Sequence, residues 1–192
     1  MLLVLFLINF NRLTQIYTFI KTTILITGTS RGIGKALALH FLSQGVTVIG
    51  SSRKTQSELA HYPNFFSLKL DLSNSKSRAT AIQQVQDNFE SIDILINNAG
   101  IGPDIDHCTP SEVDLENTLS VNLTGTVLFT EELIGHMTLK GKIINISSKM
   151  GSINSCKKSD STAYRISKAA LNMYTQILSI RVKKREELVL KI

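Results

Sequence analysis

Tryptophan is absent from this chain, and proline occurs only at Pro63, Pro103 and Pro110 among 192 residues. Collagen-like segments and long proline-rich linkers are thereby excluded. Cysteine is confined to Cys108 and Cys156, too few for a disulfide framework and without paired metal-ligand spacing. The expectation is free thiols in a reducing compartment, the cytoplasm, and no metal centre. The apolar opening run, Leu2 to Ile8, is too short to cross a bilayer. It also lacks the basic start and small-residue cleavage site of a secretory signal. Residues 1–20 are therefore set apart as an N-terminal apolar extension: a membrane-associating or targeting segment, an extra helix, or a tail from an upstream start codon. No stable membrane span is expected. Aromatic residues make up 6% of the chain, and none is interleaved with the late basic cluster "RVKKREELVLKI". The net charge of +6 is thus a poor match to a nucleic-acid surface, which would pair cations with stacking rings. A phosphate-bearing small ligand remains compatible with it.

What is present is a regular alternation, and 43% hydrophobic residues are enough for a substantial core. "TTILIT" is a short β-branched strand, followed by a glycine-rich turn and the helical pattern "KALALHFLSQG", ended by Gly45. "VTVIGSS" and "FFSLKLDLS" read as the second and third strands, "AIQQVQDNFE" as a helix, and "IDILINNAG" as the fourth strand. The segment 111–137 is long enough for a seven-turn helix, and "GKIINISS" forms a fifth strand before a last helix. Strands separated by helical patterns imply βαβ units with right-handed crossovers. The fold class is α/β: a Rossmann-type, doubly wound parallel sheet in three α/β/α layers. With no internal repeat or low-complexity linker, residues 21–192 read as one domain.

The turn after the first strand, "TGTSRGIGKA", carries Gly28, Gly32 and Gly34. Between a strand and a helix, glycines let the chain turn tightly and approach a diphosphate at the helix N-terminus. Three glycines in a plain turn would look alike; the position at the start of an α/β pattern favours phosphate. Further on, "STAYRISKAALN" places Tyr164 and Lys168 four residues apart on one helical face. Such a pair is either amphipathic covering, with apolar stems and wet tips, or a working phenol and amine.

The glycine spacing, "NNAG" at 97–100, Asn122 and the Tyr164–Lys168 pair, in this order, resemble the short-chain dehydrogenase/reductase family over residues 22 to about 182. The resemblance implies nicotinamide-dependent hydride transfer between a cofactor and a small carbonyl or alcohol substrate. It carries phosphate contacts onto Gly28, Ser30, Arg31, Gly32, Ile33 and Gly34. Where NAD-selective members end the second strand in a carboxylate, this chain has Ser52 and Arg53; arginine can engage a 2′-phosphate that a carboxylate would repel. With Arg31 as a second cation, NADP(H) is expected over NAD(H). Asp71 and Leu72 match the adenine contact, and Asn97, Ala99 and Gly100 the wall of the adenosine side. "NNAG" reads equally as structural, its asparagines tying neighbouring strands.

The resemblance also gives the Tyr164–Lys168 spacing a chemical reason. A carbonyl oxygen receiving negative charge needs a proton from a positioned acid, and a nearby ammonium favours the ionised form of a tyrosine. By resemblance Lys168 also bonds the nicotinamide ribose, and Asn122 holds a water linking the lysine to solvent. The serine that bonds the carbonyl oxygen falls on Ser148, with Ser147 beside it. From Ser148 to Tyr164 is 164 − 148 = 16 residues, longer than the family usually has, with the surplus in "NSCKKSD". That loop makes the chain look most like the branch containing C-factor and the sniffer-type carbonyl reductases. The family fold continues with a sixth strand, a proline-glycine turn and a seventh strand. Here "ELVLKI" is the only candidate start of a sixth strand, so the last strands are expected to be lacking. A nucleotide-binding regulatory or cell-signalling protein, C-factor-like, or an inactive truncated fragment are the alternatives to an enzyme. In many relatives the helix at 111–137 and the tyrosine helix form a dimer or tetramer interface, so a homodimer or homotetramer is the expected assembly.

Overall fold

A computed structural model of the chain describes residues 22–54 and 58–189. The apolar extension at 1–20 lies outside the described residues. Five strands form one parallel sheet: β1 (Thr23–Thr27), β2 (Thr47–Ser52), β3 (Phe65–Lys69), β4 (Ile92–Asn97) and β5 (Met137–Asn145), in the spatial order β3-β2-β1-β4-β5. β1 is central, and the order reverses beside it. In an open α/β sheet that reversal leaves a crevice at the carboxyl ends of the strands.

Both faces of the sheet are covered, which is why its inner strands are apolar without a polar alternate. Leu25, Ile49, Leu68 and Leu95 pack on one face against Ala81, Ile82 and Val85 of α2 (Ser75–Asn88) and Phe129 and Leu133 of α4 (Thr126–Leu133). Ile24, Ile26, Val48 and Ile96 point the other way, onto Ala38 and Leu42 of α1 (Gly32–Ser43). Helix starts follow local capping chemistry: Asn74 Oδ1 accepts from Ser77 N at 2.9 Å, and Ser111 Oγ accepts from Asp114 N at 3.0 Å. Glu112 and Asp114 add negative charge to the first turn of α3 (Glu112–Leu119), where the helix dipole favours it.

Two segments differ from the periodicity. The seven-turn helix expected over 111–137 is interrupted: α3 widens into a π segment, Ser120–Gly125, before α4 resumes, and a short 3₁₀ turn, Ile134–His136, ends it. Asn122 sits in the wide turn with its side chain directed at the chain after β4, as π turns at functional positions often do. Met137 opens β5 rather than closing the helix, and β5 shifts register against β4 between Ile92 and Ile94. The second difference is at the end. α5 (Thr162–Val189) runs through the residues offered as a sixth strand as far as Val189. No glycine or proline interrupts the sequence after Ser161, and lysines, arginine and glutamates are good helix formers.

Candidate active site

At one end of the crevice the backbone turns tightly between β1 and α1. Gly28 and Gly32 adopt φ of +76° and +58°, conformations that side chains disfavour. The amides of Gly28 and Thr29 both donate to Ser51 O at 2.9 Å, fastening the turn to β2. A Cβ at Gly34 would lie 2.3 Å from Gly28 O and 2.4 Å from Asn98 Nδ2, so α1 can cross this turn only as glycine. Asn98 Nδ2 donates to Thr27 O at 2.9 Å and Gly28 O at 3.1 Å, joining β4 to the turn. Arg31 precedes α1 in extended conformation without capping it through a side chain, and the first helical turn holds no acid. The N-terminus of α1 is therefore an open anion site.

The crevice that starts there has a volume of about 560 Å³. Of the residues expected to hold a cofactor, Gly28, Ser30, Arg31, Gly32, Ile33, Ser52, Arg53, Asp71, Leu72, Ala99 and Gly100 line it. Arg31 and Arg53, from different loops, are exposed on this same crevice. Ser52 Oγ donates to Lys54 O, which shapes the turn leading out of β2. Asp71 Oδ1 accepts from Ser73 N at 3.0 Å and Ser73 Oγ at 2.7 Å, and buried Arg78 donates to Leu72 O at 2.5 Å. These bonds hold the segment after β3 as a fixed wall. Gly34, Asn97, Tyr164 and Lys168 lie outside the lining. Asn97 instead ties the sheet, donating through Nδ2 to Thr130 Oγ1 and Asn145 Oδ1, each at 2.8 Å. Asn98, Ile101, Asn117 and Val121 also line the crevice. Asn98 belongs to the quoted "NNAG", whereas Ile101, Asn117 and Val121 were not singled out; Asn117 and Val121, one turn apart, were the only periodic hint.

Beyond Gly100 the chemistry-bearing side chains converge. Tyr164 and Lys168 share one face of α5, with Lys168 Nζ 5.7 Å from the tyrosine ring centre. Lys168 is only 4% exposed, and Nζ donates to Ile146 O at 2.9 Å. Burial pushes its pKa below the ordinary lysine value, because desolvation penalises the ammonium. A Cβ at Gly151 would lie 2.8 Å from the Lys168 carbonyl carbon, so the turn after β5 packs directly on α5. Ser148 begins that turn, its Oγ accepting from Met150 N at 3.1 Å, which leaves the hydroxyl proton available to donate. Ser147 Oγ is buried without a hydrogen-bond partner among the described residues. Asn122, 1% exposed, clamps one backbone unit: Oδ1 accepts from Ile101 N at 2.8 Å, and Nδ2 donates to Ile101 O at 2.7 Å and Ser167 Oγ at 3.1 Å. Among the described residues no cluster of His, Cys, Asp and Glu could hold a metal ion.

A parallel sheet with a switch point beside its first strand, an open helix N-terminus there and a phenol–ammonium pair beyond defines a dinucleotide-binding α/β protein of the oxidoreductase class. The chain belongs to the short chain dehydrogenase family, whose model matches residues 22–189. It is 34% identical over 175 residues to a 3-oxoacyl-[acyl-carrier-protein] reductase FabG of Aquifex aeolicus, covering 86% of this chain and 69% of that protein. Among solved structures it resembles a carbonyl reductase, Sniffer, of Caenorhabditis elegans (TM-score 0.76, 27% identity, 84% and 80% of the two chains). A Brucella melitensis 3-oxoacyl-[acyl-carrier protein] reductase in complex with NAD aligns at TM-score 0.75 and 28% identity over 86% and 69%. A Burkholderia multivorans short-chain dehydrogenase/reductase with bound NADP aligns at 0.76 and 28% over 85% and 74%. The family uses nicotinamide cofactors, and these neighbours include both forms. The chain is shorter than these relatives, spanning 46% of one curated oxidoreductase of Schizosaccharomyces pombe and 69% of the Aquifex protein. Among the described residues no helix is long and apolar enough to cross a membrane.

Proposed function

We propose that this chain is an NADP(H)-dependent oxidoreductase that moves a hydride between nicotinamide and a small carbonyl or alcohol substrate. The observation that carries this reading is the lysine buried beside Tyr164, close to Gly100 on the crevice wall. A buried ammonium costs stability unless its charge is used. The cofactor fits what the residues offer: an open helix N-terminus and a turn closed to Cβ at Gly34 for the diphosphate, and the wall after β3 for adenosine. Arg31 and Arg53 on the same crevice support a 2′-phosphate, and with it NADP(H) over NAD(H). When bound, the cofactor supplies or accepts the hydride.

The chain's own groups handle the proton. In reduction, Tyr164 gives its hydroxyl proton to the substrate oxygen while Ser148 donates a hydrogen bond to that oxygen. Lys168 holds positive charge beside the phenol as negative charge passes to it. Asn122 keeps Ile101 in place, and through it the Gly100–Gly102 stretch; a Cβ at Gly100 would lie 3.6 Å from Lys168 Nζ. Oxidation of an alcohol reverses each transfer.

The test is a titration with NADPH and NADH, read by nucleotide fluorescence, followed by a carbonyl screen that includes a 3-oxoacyl thioester. The expected result is saturable binding that prefers NADPH and NADPH oxidation that Tyr164→Phe abolishes without loss of cofactor binding. Arg53→Ala should weaken NADPH about tenfold, a charge-assisted contact discounted for exposure, and leave NADH unchanged. Equal affinity for the two nucleotides would refute the cofactor reading; turnover indifferent to Tyr164→Phe would refute the enzyme reading. A homodimer or homotetramer is supported by Ile166, Met173, Ile177 and Ile180, all exposed and recurring along one face of α5.

A further inference from the structure

Asp104 is fully buried, and among the described residues it forms no ion pair. Its negative charge is met instead by the start of α5. One carboxylate oxygen accepts from Ala163 N at 2.6 Å and the other from Tyr164 N at 3.2 Å. These are the second and third amides of the helix, the ones a preceding serine normally caps with its own hydroxyl. Ser161 stands where that cap would be, but its backbone is left-handed, with φ +57°, and its Oγ accepts from Asp106 N at 3.0 Å. Ser161 N donates to His107 O at 2.8 Å, and Asp106 is left-handed as well, with φ +68°. A local cap has thus been exchanged for one supplied 59 and 60 positions away. Two non-glycine residues in a disfavoured conformation stand at the same junction, as strained backbone does near working sites.

The junction bears on one side chain. The loop carrying Asp104 lines the crevice as far as Pro103, and a Cβ at Gly102 would come within 3.0 Å of Tyr164 Cδ2. The ring is therefore held between this loop and Lys168, while Asp104 grips the tyrosine's own amide. We infer that Asp104 is a positioning residue for Tyr164: its carboxylate fixes the α5 terminus, and with it the phenol, against the loop after Gly100. This rests on the proposed role of Tyr164 as proton donor. Removing the charge at constant size should let the phenol wander, and displacements on the order of 1 Å cost about a hundredfold in rate.

Asp104→Asn keeps the shape but loses the anion and one acceptor. Two readouts separate the inference from the enzyme reading. The first needs no turnover: amide hydrogen exchange at Ala163 and Tyr164, with the 13Cζ resonance of labelled Tyr164. D104N should speed exchange at both amides at least tenfold and shift or broaden that resonance, with those of Tyr62 and Tyr174 unchanged. Unaltered exchange and resonance would overturn the inference whether or not the protein is an enzyme. The second is kinetic: D104N should lower kcat ten- to a hundredfold with the NADPH dissociation constant unchanged, and have no further effect in a Tyr164→Phe background. A purely structural role would instead move NADPH affinity and melting temperature along with kcat, and would persist in that background. Should D104N fail to fold, Ser161→Ala, which removes the bond from Asp106 N and the hydroxyl's donation to Asp160 Oδ1 but leaves the Asp104 carboxylate in place, should produce the same changes to a smaller extent; its silence would overturn the inference too. Wild-type protein that turns over no carbonyl, in which D104N still releases Tyr164, would refute the enzyme and leave the positioning standing.

Discussion

Replacing Lys168 by methionine removes the ammonium while keeping an unbranched side chain against the Gly151 turn. Its effect on stability is a difference of two opposing quantities. The bond from Nζ to Ile146 O, 2.9 Å long, is charge-assisted and contributes about 1.5–3 kcal/mol, and its loss leaves that carbonyl without this donor. Against this, the burial of the cation costs several kcal/mol, the same desolvation that lowers its pKa. The two nearly cancel, so Lys168→Met should change unfolding free energy by less than about 2 kcal/mol in either direction, a melting shift below about 8 °C. Activity has no such compensation: NADPH oxidation should fall roughly 10²- to 10⁴-fold. The pH dependence carries its own signature. Lys168 releases its proton at lower pH folded than unfolded, so the unfolded chain binds more protons in the window below 10.5. Wild-type stability relative to Lys168→Met should therefore rise with pH across that window. Paired urea melts from pH 7 to 10.5 and steady-state assays of both proteins check this. Turnover within tenfold of wild type, or a relative stability that falls with pH, would refute the account of Lys168.

Gly34→Ala should be far less tolerated than its chemistry suggests, because no rearrangement of a flexible tip makes room at 2.3 Å from a backbone oxygen. We expect a loss of about 1–3 kcal/mol in urea unfolding and weaker NADPH binding; an unchanged melt would show that α1 can shift off the turn. Tyr174, half-buried and donating to Glu131 Oε1 at 2.9 Å, has its pKa raised, first by its partial burial. The unfolded phenol ionises first, so this contribution is intact below about 10 and lost as pH rises above it. Tyr174→Phe should flatten the fall in stability above pH 10, and an identical alkaline limb in the variant would refute the assignment. Replacing both Met173 and Ile177 by glutamate should convert an oligomer to monomer by light scattering, with nucleotide binding retained; unchanged mass would exclude the α5 face as the interface.

Much of this protein could be read from the order of its residues alone. Strand and helix types followed from short apolar, β-branched runs and from an apolar period of 3.6, because each is written within a few neighbouring residues. The glycine turn and the Tyr164–Lys168 pair were legible for the same reason: a turn spans a handful of positions, and an i, i+4 pair needs only a helix. What the tertiary structure decided are matters of long sequence separation or of competition between neighbours. Asp104 looked like any loop acid until the fold brought it to the amides of Ala163 and Tyr164. Asn122 lay within what read as one long helix, and only the fold brought Ile101 and Ser167 to its side chain in the widened turn. Asn97 and Asn98 are adjacent and identical, yet one ties β4 to β5 while the other faces the crevice. A strand sends successive side chains to opposite sides, and only the assembled sheet says which side is which. The depth at which Lys168 is buried likewise depends on the Gly151 turn packing onto α5. Local pattern carries local geometry, whereas burial and partnership belong to contacts that exist only once the chain has folded.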